Sequence, residues 1–139
     1  LSGEKLAATC GMDLHGNSTL HGHYSTYIQG ESDGDICREL SDAIHNQRTW
    51  ICKGPLLEVH NDGEALTFTI HQTGKPGYDP LTEADYKVTL RTRDQIITCN
   101  VSDRIPLASF AEHAIIIPML FEKETIIENL VCTSPVMYL

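Results

Sequence analysis

Apolar and polar residues alternate with a period of two along most of the chain, a pattern that is typical of half-buried β-strands. One segment differs, because apolar residues at helical spacing from Ile36 to Ile44 follow an acidic loop and predict a short amphipathic helix that ends near Asn46. Turn residues separate the strand-like runs, most clearly at Asn61-Asp62-Gly63. The runs lie at 6–14, 20–28, 56–60, 65–71, 86–91 and 97–101. Six or seven short strands with one inserted helix predict an all-β protein, an antiparallel β-sandwich.

The C-terminal part, residues 104–139, is richer in isoleucine and leucine and has no clear turn residues. It either adds a strand pair to the sandwich or connects the sandwich to another domain. Four of its apolar residues alternate along one strand and are predicted either to join the core or to form part of a partner-binding surface. These four residues are Ile115, Ile117, Met119 and Phe121.

Chain length and charge limit the function. The 139 residues are enough for one domain with a hydrophobic core, and the net charge of −9 makes a nucleic-acid partner improbable because phosphates would be repelled. The same charge favours a basic protein partner. The longest apolar run, residues 114–121, is too short to cross a bilayer. The first residues lack the basic start and apolar stretch of a signal peptide, so we expect a mature or excised fragment.

Two glycosylation sequons and the cysteine content indicate an oxidising, secretory compartment. Asn17-Ser18-Thr19 and Asn100-Val101-Ser102 both fit the acceptor pattern, which makes Asn17 and Asn100 candidate glycosylation sites. Neither sequon alone is specific. Together with five cysteines that form no CxxC pair, they favour an extracellular protein over a zinc-binding or thioredoxin-like one.

The cysteines predict a disulfide framework. Cys10 and Cys99 alternate onto the core sides of their strands, and Cys37 and Cys52 flank the helix. This placement favours disulfides Cys10–Cys99 and Cys37–Cys52, although four cysteines allow three connectivities and the sequence does not choose among them. Cys132 is then free, pairs with a neighbouring molecule, or displaces Cys99 as the partner of Cys10.

The N-terminal hairpin gathers the residues that most resemble metal ligands. Directly opposed residues of an antiparallel pair share a face, and the favoured register therefore places His15 opposite His21 and Asp13 opposite His23. Two imidazoles on one strand face have ligand geometry in principle. The cluster nevertheless lies beside a probable glycan and has no implied pocket, so we interpret it as a solvated polar surface and predict no metal site.

Catalytic patterns are also missing from the sequence. There is no GxSxG motif, no glycine-rich phosphate loop, and no surroundings that would give a reactive thiolate. The acidic group at the helix start is better explained by capping and solvation than as a glycosidase pair. It comprises Asp33, Asp35, Glu39 and Asp42. We therefore predict a protein that is not an enzyme and needs no cofactor.

The order of these features resembles the zona pellucida N-domain (ZP-N) family of egg-coat proteins. The likeness covers about residues 4–103 and leaves 104–139, with Cys132, as an extension or inter-repeat segment. It rests on five stretches in the same order: LAATCGM, SDGDIC, TWIC, EALTFTIHQTG and TLRTRDQIITC. Within the family, CGMDLHGNSTLHGHYSTYIQG and GDICRELSDAI are most similar to the sperm-receptor repeats of the vitelline envelope.

The resemblance implies an immunoglobulin-like sandwich in which the first cysteine pairs with the fourth and the second with the third. It further implies a secreted structural repeat of the egg vitelline envelope. Its partners would be a basic, lysin-like sperm protein, bound without catalysis in species-selective gamete recognition, and other repeats of the same egg-coat protein. The alternative is a secreted, glycosylated β-sandwich that binds a different ligand, such as an effector or a lectin-like module.

Overall fold

The computed structural model describes residues 7, 9–10, 23–30 and 34–139 of the chain. These residues form ten β-strands and one α-helix, with three single turns of 3₁₀-helix between strands. In chain order the elements are β1 (Ser25–Ile28), α1 (Ile36–His45), β2 (Thr49–Cys52), β3 (Leu56–Asn61), β4 (Ala65–His71), β5 (Tyr86–Arg91), β6 (Ile96–Asn100), β7 (Ile105–Pro106), β8 (Ile115–Glu122), β9 (Leu130–Thr133) and β10 (Met137–Tyr138).

The strands form two antiparallel sheets. The larger sheet has the order β1-β2-β9-β8-β5-β6, with β10 paired to β8, and the smaller sheet has the order β3-β4-β7. All strand pairs are antiparallel. The prediction of a mostly β protein with two antiparallel sheets and one short helix is confirmed.

One hydrophobic core joins the two sheets, because the buried residues of both belong to the same cluster. In the larger sheet the row of inward side chains includes Val88 and Leu120, which lie directly opposite each other across β5 and β8. In the smaller sheet Leu57 and Leu66 are fully buried. Alternation places every second residue of β8 from Ile116 to Leu120 in the interior, as the period of two requires, whereas β9 buries the consecutive residues Val131 and Cys132.

The C-terminal residues 104–139 supply β7, β8, β9 and β10. β8 lies inside the larger sheet, between β5 and β9. Its alternate residues Ile116, Pro118 and Leu120 are buried, which explains why this part of the chain is rich in apolar residues. The segment thus adds β8, β9 and β10 to the larger sheet and β7 to the smaller one.

Helix α1 begins where an acidic side chain caps it. The Asp35 carboxylate accepts hydrogen bonds from the backbone N–H groups of Cys37 and Arg38 at 3.0 and 3.4 Å. An aspartate in this position satisfies amide groups that otherwise have no partner in the first turn. The helix ends at His45, close to the predicted end at Asn46.

The hairpin predicted over residues 6–28 lies mostly outside the described residues. Residues 7, 9–10 and 23–28 of it are described, and β1 covers Ser25–Ile28. Asp13, His15 and His21 and their predicted register are outside the described ranges.

Candidate binding surface

Helix α1 presents an apolar stripe to solvent. Ile36, Leu40 and Ile44 follow one another at a spacing of four residues and are 65%, 41% and 38% exposed. The neighbouring flank of the helix is buried through Ala43. An amphipathic helix normally covers its apolar stripe with the body of the protein. Among the described residues nothing covers this stripe to that extent, and we call these three residues the α1 stripe.

The other flank of α1 is acidic and borders a hollow of about 410 Å³. Asp35, Glu39 and Asp42 line this hollow together with residues Gln29 and Gly30 of the preceding loop. Arg38 also lines it, at 3.9 Å from Asp42, but both side chains are well exposed and such a pair contributes little stability. The helix therefore carries the apolar stripe on one side of the buried Ala43 and the acidic flank on the other.

A second groove, of about 350 Å³, lies beside this hollow and shares Gln29 and Gly30 with it. Its remaining lining residues are Ile28, Trp50, Leu56, Glu58 and His71. The Trp50 indole is fixed by a hydrogen bond from its Nε1 to the Leu57 carbonyl at 2.9 Å. Opposite it, the His71 Nε2 and Glu58 Oε2 atoms are 2.6 Å apart. The groove thus combines an apolar floor with one carboxylate–imidazole pair.

The structure does not bring Cys10 and Cys99 together, although the sequence predicted a disulfide between them. The Cys10 amide donates a hydrogen bond to Thr26 of β1 at 3.0 Å, and Cys99 lies on β6 at the opposite edge of the larger sheet. Five strand spacings separate the two edges, about 24 Å, which is far beyond disulfide reach. Burial raises the pKa of the Cys99 thiol to about 11, so this thiol stays protonated at neutral pH.

The structure records no disulfide among its five cysteines, and the second predicted pair, Cys37–Cys52, stays a prediction. Cys37 is exposed in the first turn of α1, whereas Cys52 is fully buried and lies directly opposite Cys132 across β2 and β9. Cys132 was predicted to be unpaired or bonded to another molecule. It is also fully buried, which closes it to a neighbouring molecule in the folded chain.

The four residues predicted as a core or partner-binding stripe lie on the side of the larger sheet that points away from the smaller one. Their register neighbours include Arg91 and Thr133, whereas the core residues of β8 are the alternate set. Phe121 is buried, and Ile115, Ile117 and Met119 are half-buried. They form neither an open apolar patch nor part of the central core cluster.

The two candidate glycosylation sites differ in what the structure describes. Asn100 is exposed at the end of β6, where its side chain contacts Asp103 and the Lys87 ammonium group. Asn17 lies outside the described residues.

The structure describes part of the acidic group at the start of α1 and part of the histidine cluster. Asp35, from the acidic group, is the N-cap of α1, as capping predicted, while Asp33 lies outside the described ranges. His23, from the histidine cluster, is exposed, and its carbonyl accepts a hydrogen bond from Lys75. Within the described parts of the chain, no group of three or more histidine, cysteine or acidic side chains is arranged to hold a metal ion.

Sequence reasoning did not identify the α1 stripe or the Trp50 groove. The helical spacing of Ile36, Leu40 and Ile44 was visible, but spacing alone does not tell whether a stripe faces the core or solvent. The groove brings together residues from β1, β2, β3 and β4, and no local pattern carries that information.

No family model, no curated protein and no solved structure matches this chain. The fold and the surface together define the class of protein: a two-sheet antiparallel β protein with one short helix, whose helix carries an uncovered apolar stripe. None of the helices in the described residues is long and apolar enough to span a bilayer.

Proposed function

We propose that this protein is a non-enzymatic binding module that recognises a basic protein through helix α1. The observation that carries the proposal is the exposure of the α1 stripe, Ile36, Leu40 and Ile44. Apolar residues on a helix surface are anchors for a partner when they lie at the centre of an interface and exclude water.

Charge specifies the kind of partner. The chain has a net charge of −9, and the flank of α1 beside the stripe carries Asp35, Glu39 and Asp42 against the single basic residue Arg38. A partner with apolar residues surrounded by lysine and arginine would match both flanks. Complementary charge also accelerates association, and this effect weakens as salt screens the charges.

The resemblance to ZP-N repeats supports a narrower version of this proposal. In that version the sandwich is immunoglobulin-like and of the ZP-N type, and the chain is a secreted repeat of an egg vitelline envelope. It would resemble the repeats of the abalone vitelline envelope receptor for sperm lysin, with lysin as the basic partner and neighbouring repeats as structural contacts. The acidic surface described above is compatible with that partner.

Binding of purified sperm lysin, measured by calorimetry over a series of salt concentrations, tests the proposal. We expect binding that weakens as salt rises, and a loss of at least about tenfold in affinity for the double variant Ile36→Ser/Leu40→Ser. The matched control is Ile96→Ser, which changes an equally exposed isoleucine on β6 and should leave binding unchanged. Equal affinity of the double variant and the control would contradict the role of α1.

The Trp50 groove favours a second candidate, a lectin-like module with a small polar ligand. An aromatic side chain next to the Glu58–His71 pair provides an apolar surface and hydrogen-bonding groups in one cleft. Titration of Trp50 fluorescence with a panel of oligosaccharides tests this candidate. A saturable change that is lost in Glu58→Gln would support it, and no change with any sugar would remove it.

A further inference from the structure

Two fully buried cysteines face each other in the larger sheet. Cys52 of β2 and Cys132 of β9 are register partners, and both are 0% exposed. β2 and β9 pair over only two residue positions, Ile51 with Thr133 and Cys52 with Cys132. This short pairing joins β1, α1 and β2 to the rest of the sheet, so the two sulfur atoms lie at its narrowest connection.

The hydrogen-bond register shows that the two cysteines form a close pair. The Lys53 amide donates to the Val131 carbonyl at 3.0 Å, which makes Lys53 and Val131 a hydrogen-bonded pair. Such pairs alternate with non-hydrogen-bonded pairs along an antiparallel ladder, so Cys52 and Cys132 form a non-hydrogen-bonded pair. Cα atoms in pairs of this type are about 4.5 Å apart, inside the range that disulfides require.

The two thiols also interact chemically. Interaction with the Cys52 thiol, and then the Leu57 backbone and the Ser134 side chain, holds the pKa of Cys132 below its usual value, although burial opposes this. Interaction with the Cys132 thiol and burial raise the pKa of Cys52, whose S–H group donates a hydrogen bond to the Gly54 carbonyl at 3.4 Å. The two side chains therefore interact directly, in agreement with their register.

We propose that Cys52 and Cys132 form a disulfide bond that links β2 to β9. This proposal is independent of the binding function above, since it rests on the register and burial of the two residues. It is an alternative to the predicted pair Cys37–Cys52 and leaves Cys10, Cys37 and Cys99 outside the bond.

A small-molecule disulfide such as oxidised glutathione is the oxidant during folding. In the partly folded chain, where both thiols are still accessible, one of the two thiolates attacks one sulfur of oxidised glutathione, forms a mixed disulfide and releases one glutathione thiolate. The other thiolate then attacks the protein sulfur of this mixed disulfide, forms the protein disulfide and releases the second glutathione thiolate. The two protein thiols lose two protons and two electrons, and one glutathione disulfide becomes two glutathione thiols.

Peptide mapping of the complete chain under non-reducing conditions, after refolding in a glutathione redox buffer, tests the bond. We expect a disulfide-linked peptide pair that contains Cys52 and Cys132. A linked pair that joins Cys52 to Cys37, or fully reduced Cys52 and Cys132 after refolding, would overturn the proposal.

Thermal unfolding with and without a phosphine reductant provides a second test. Because the bond closes a long loop, reduction should lower Tm by roughly 10–20 °C in the unaltered protein. The matched control Cys37→Ser removes an exposed cysteine and should keep the full shift, whereas Cys52→Ala/Cys132→Ala should show none. If Cys37→Ser abolishes the shift, or if the double variant retains it, the bond is not between Cys52 and Cys132.

Discussion

At the scale of single residues, one carbonyl group connects the two sheets. The Leu57 carbonyl of β3 accepts hydrogen bonds from the Trp50 indole at 2.9 Å and from the buried Ser134 hydroxyl at 2.6 Å. The register of β3 and β4, fixed by the Asp62 amide bonded to the Ala65 carbonyl, turns the Leu57 carbonyl away from β4. Trp50 and Ser134 belong to the other sheet and its following loop, so these two bonds cross between layers.

Removing both hydrogen-bond donors should lower the free energy of unfolding by more than the sum of the two single losses. Ser134→Ala and Trp50→Phe each leave the Leu57 carbonyl one partner and should destabilise the fold by about 1 kcal/mol. In the double variant the buried Leu57 carbonyl has neither donor. The resulting desolvation penalty adds about 1 kcal/mol or more to the sum of the two single losses. Urea unfolding of the four proteins in the cycle measures this excess. Additive losses would show that the Leu57 carbonyl reaches water when both donors are removed.

A second residue-scale prediction concerns a hydroxyl group that has no partner. Thr89 of β5 is 4% exposed, and its Oγ1 atom is buried without a hydrogen-bond partner among the described residues. Thr89→Val keeps the shape and removes the unpaired polar atom, so it should stabilise the protein by about 1 kcal/mol. Thr98→Val, at the exposed neighbouring position on β6, is the control and should change stability by less than about 0.5 kcal/mol. Denaturant unfolding measures both, and a destabilised Thr89→Val would indicate that the hydroxyl is satisfied in solution.

At the scale of elements, the β3–β4 hairpin is held by the side chain of its turn aspartate. The Asp62 carboxylate accepts hydrogen bonds from the amides of Glu64 and Ala65, both at 2.9 Å. Its other oxygen lies 2.9 Å from the Arg104 guanidinium, which precedes β7. These backbone hydrogen bonds, and then Arg104, hold the pKa of Asp62 below its usual value. The ionised carboxylate therefore favours the folded hairpin.

This lowered pKa predicts the direction of a pH effect. The stabilisation is present above the ordinary aspartate pKa of about 4 and is lost as pH falls through the lower, folded-state value. Asp62→Asn removes the charge, so the difference in Tm between the two proteins should be largest at neutral pH and shrink toward about pH 3. The control is Asp94→Asn, in the turn between β5 and β6, because the Asp94 carboxylate accepts no hydrogen bond among the described residues. A difference in Tm between the unaltered protein and Asp62→Asn that stays constant with pH would contradict the role of the Asp62 charge.

The elements that the sequence predicts well are those that local rules determine. The hairpin at 56–71, the strand at 86–91 and helix α1 follow from periodicity and from turn residues within a few positions. The pairing of β2 with β9 does not follow from such local rules. Cys52 lies opposite Cys132, which is far along the chain, and only the assembled sheet brings the two residues together. The sequence therefore does not indicate that Cys52 lies opposite Cys132. The exposure of the α1 stripe depends in the same way on what packs around the helix, which spacing cannot reveal.

At the scale of the whole molecule, the larger sheet depends on both ends of the described chain. β8, from the C-terminal part, pairs along its length with β5 and also with β9, and β9 pairs with β2. Without residues 104–139, β5 would lose its neighbour β8 and β2 would lose its neighbour β9, and Val88 and Leu90 would lose their register partners on β8. Strands left with unpaired edges and exposed core residues do not form a stable sheet.

A chain that ends at Asp103, the boundary implied by the family resemblance, should therefore not unfold cooperatively. We expect Trp50 fluorescence and near-ultraviolet circular dichroism of this fragment to change without a thermal transition, since β8 and β9 are missing from the middle of the sheet. The matched control ends at Val136 and removes only β10, a two-residue strand paired to the end of β8, so it should still melt cooperatively at a lower Tm. A cooperative transition of the fragment 1–103 near the Tm of the complete chain would show that residues 104–139 are a separate unit. Because β8 lies in the middle of the larger sheet, we expect no such transition.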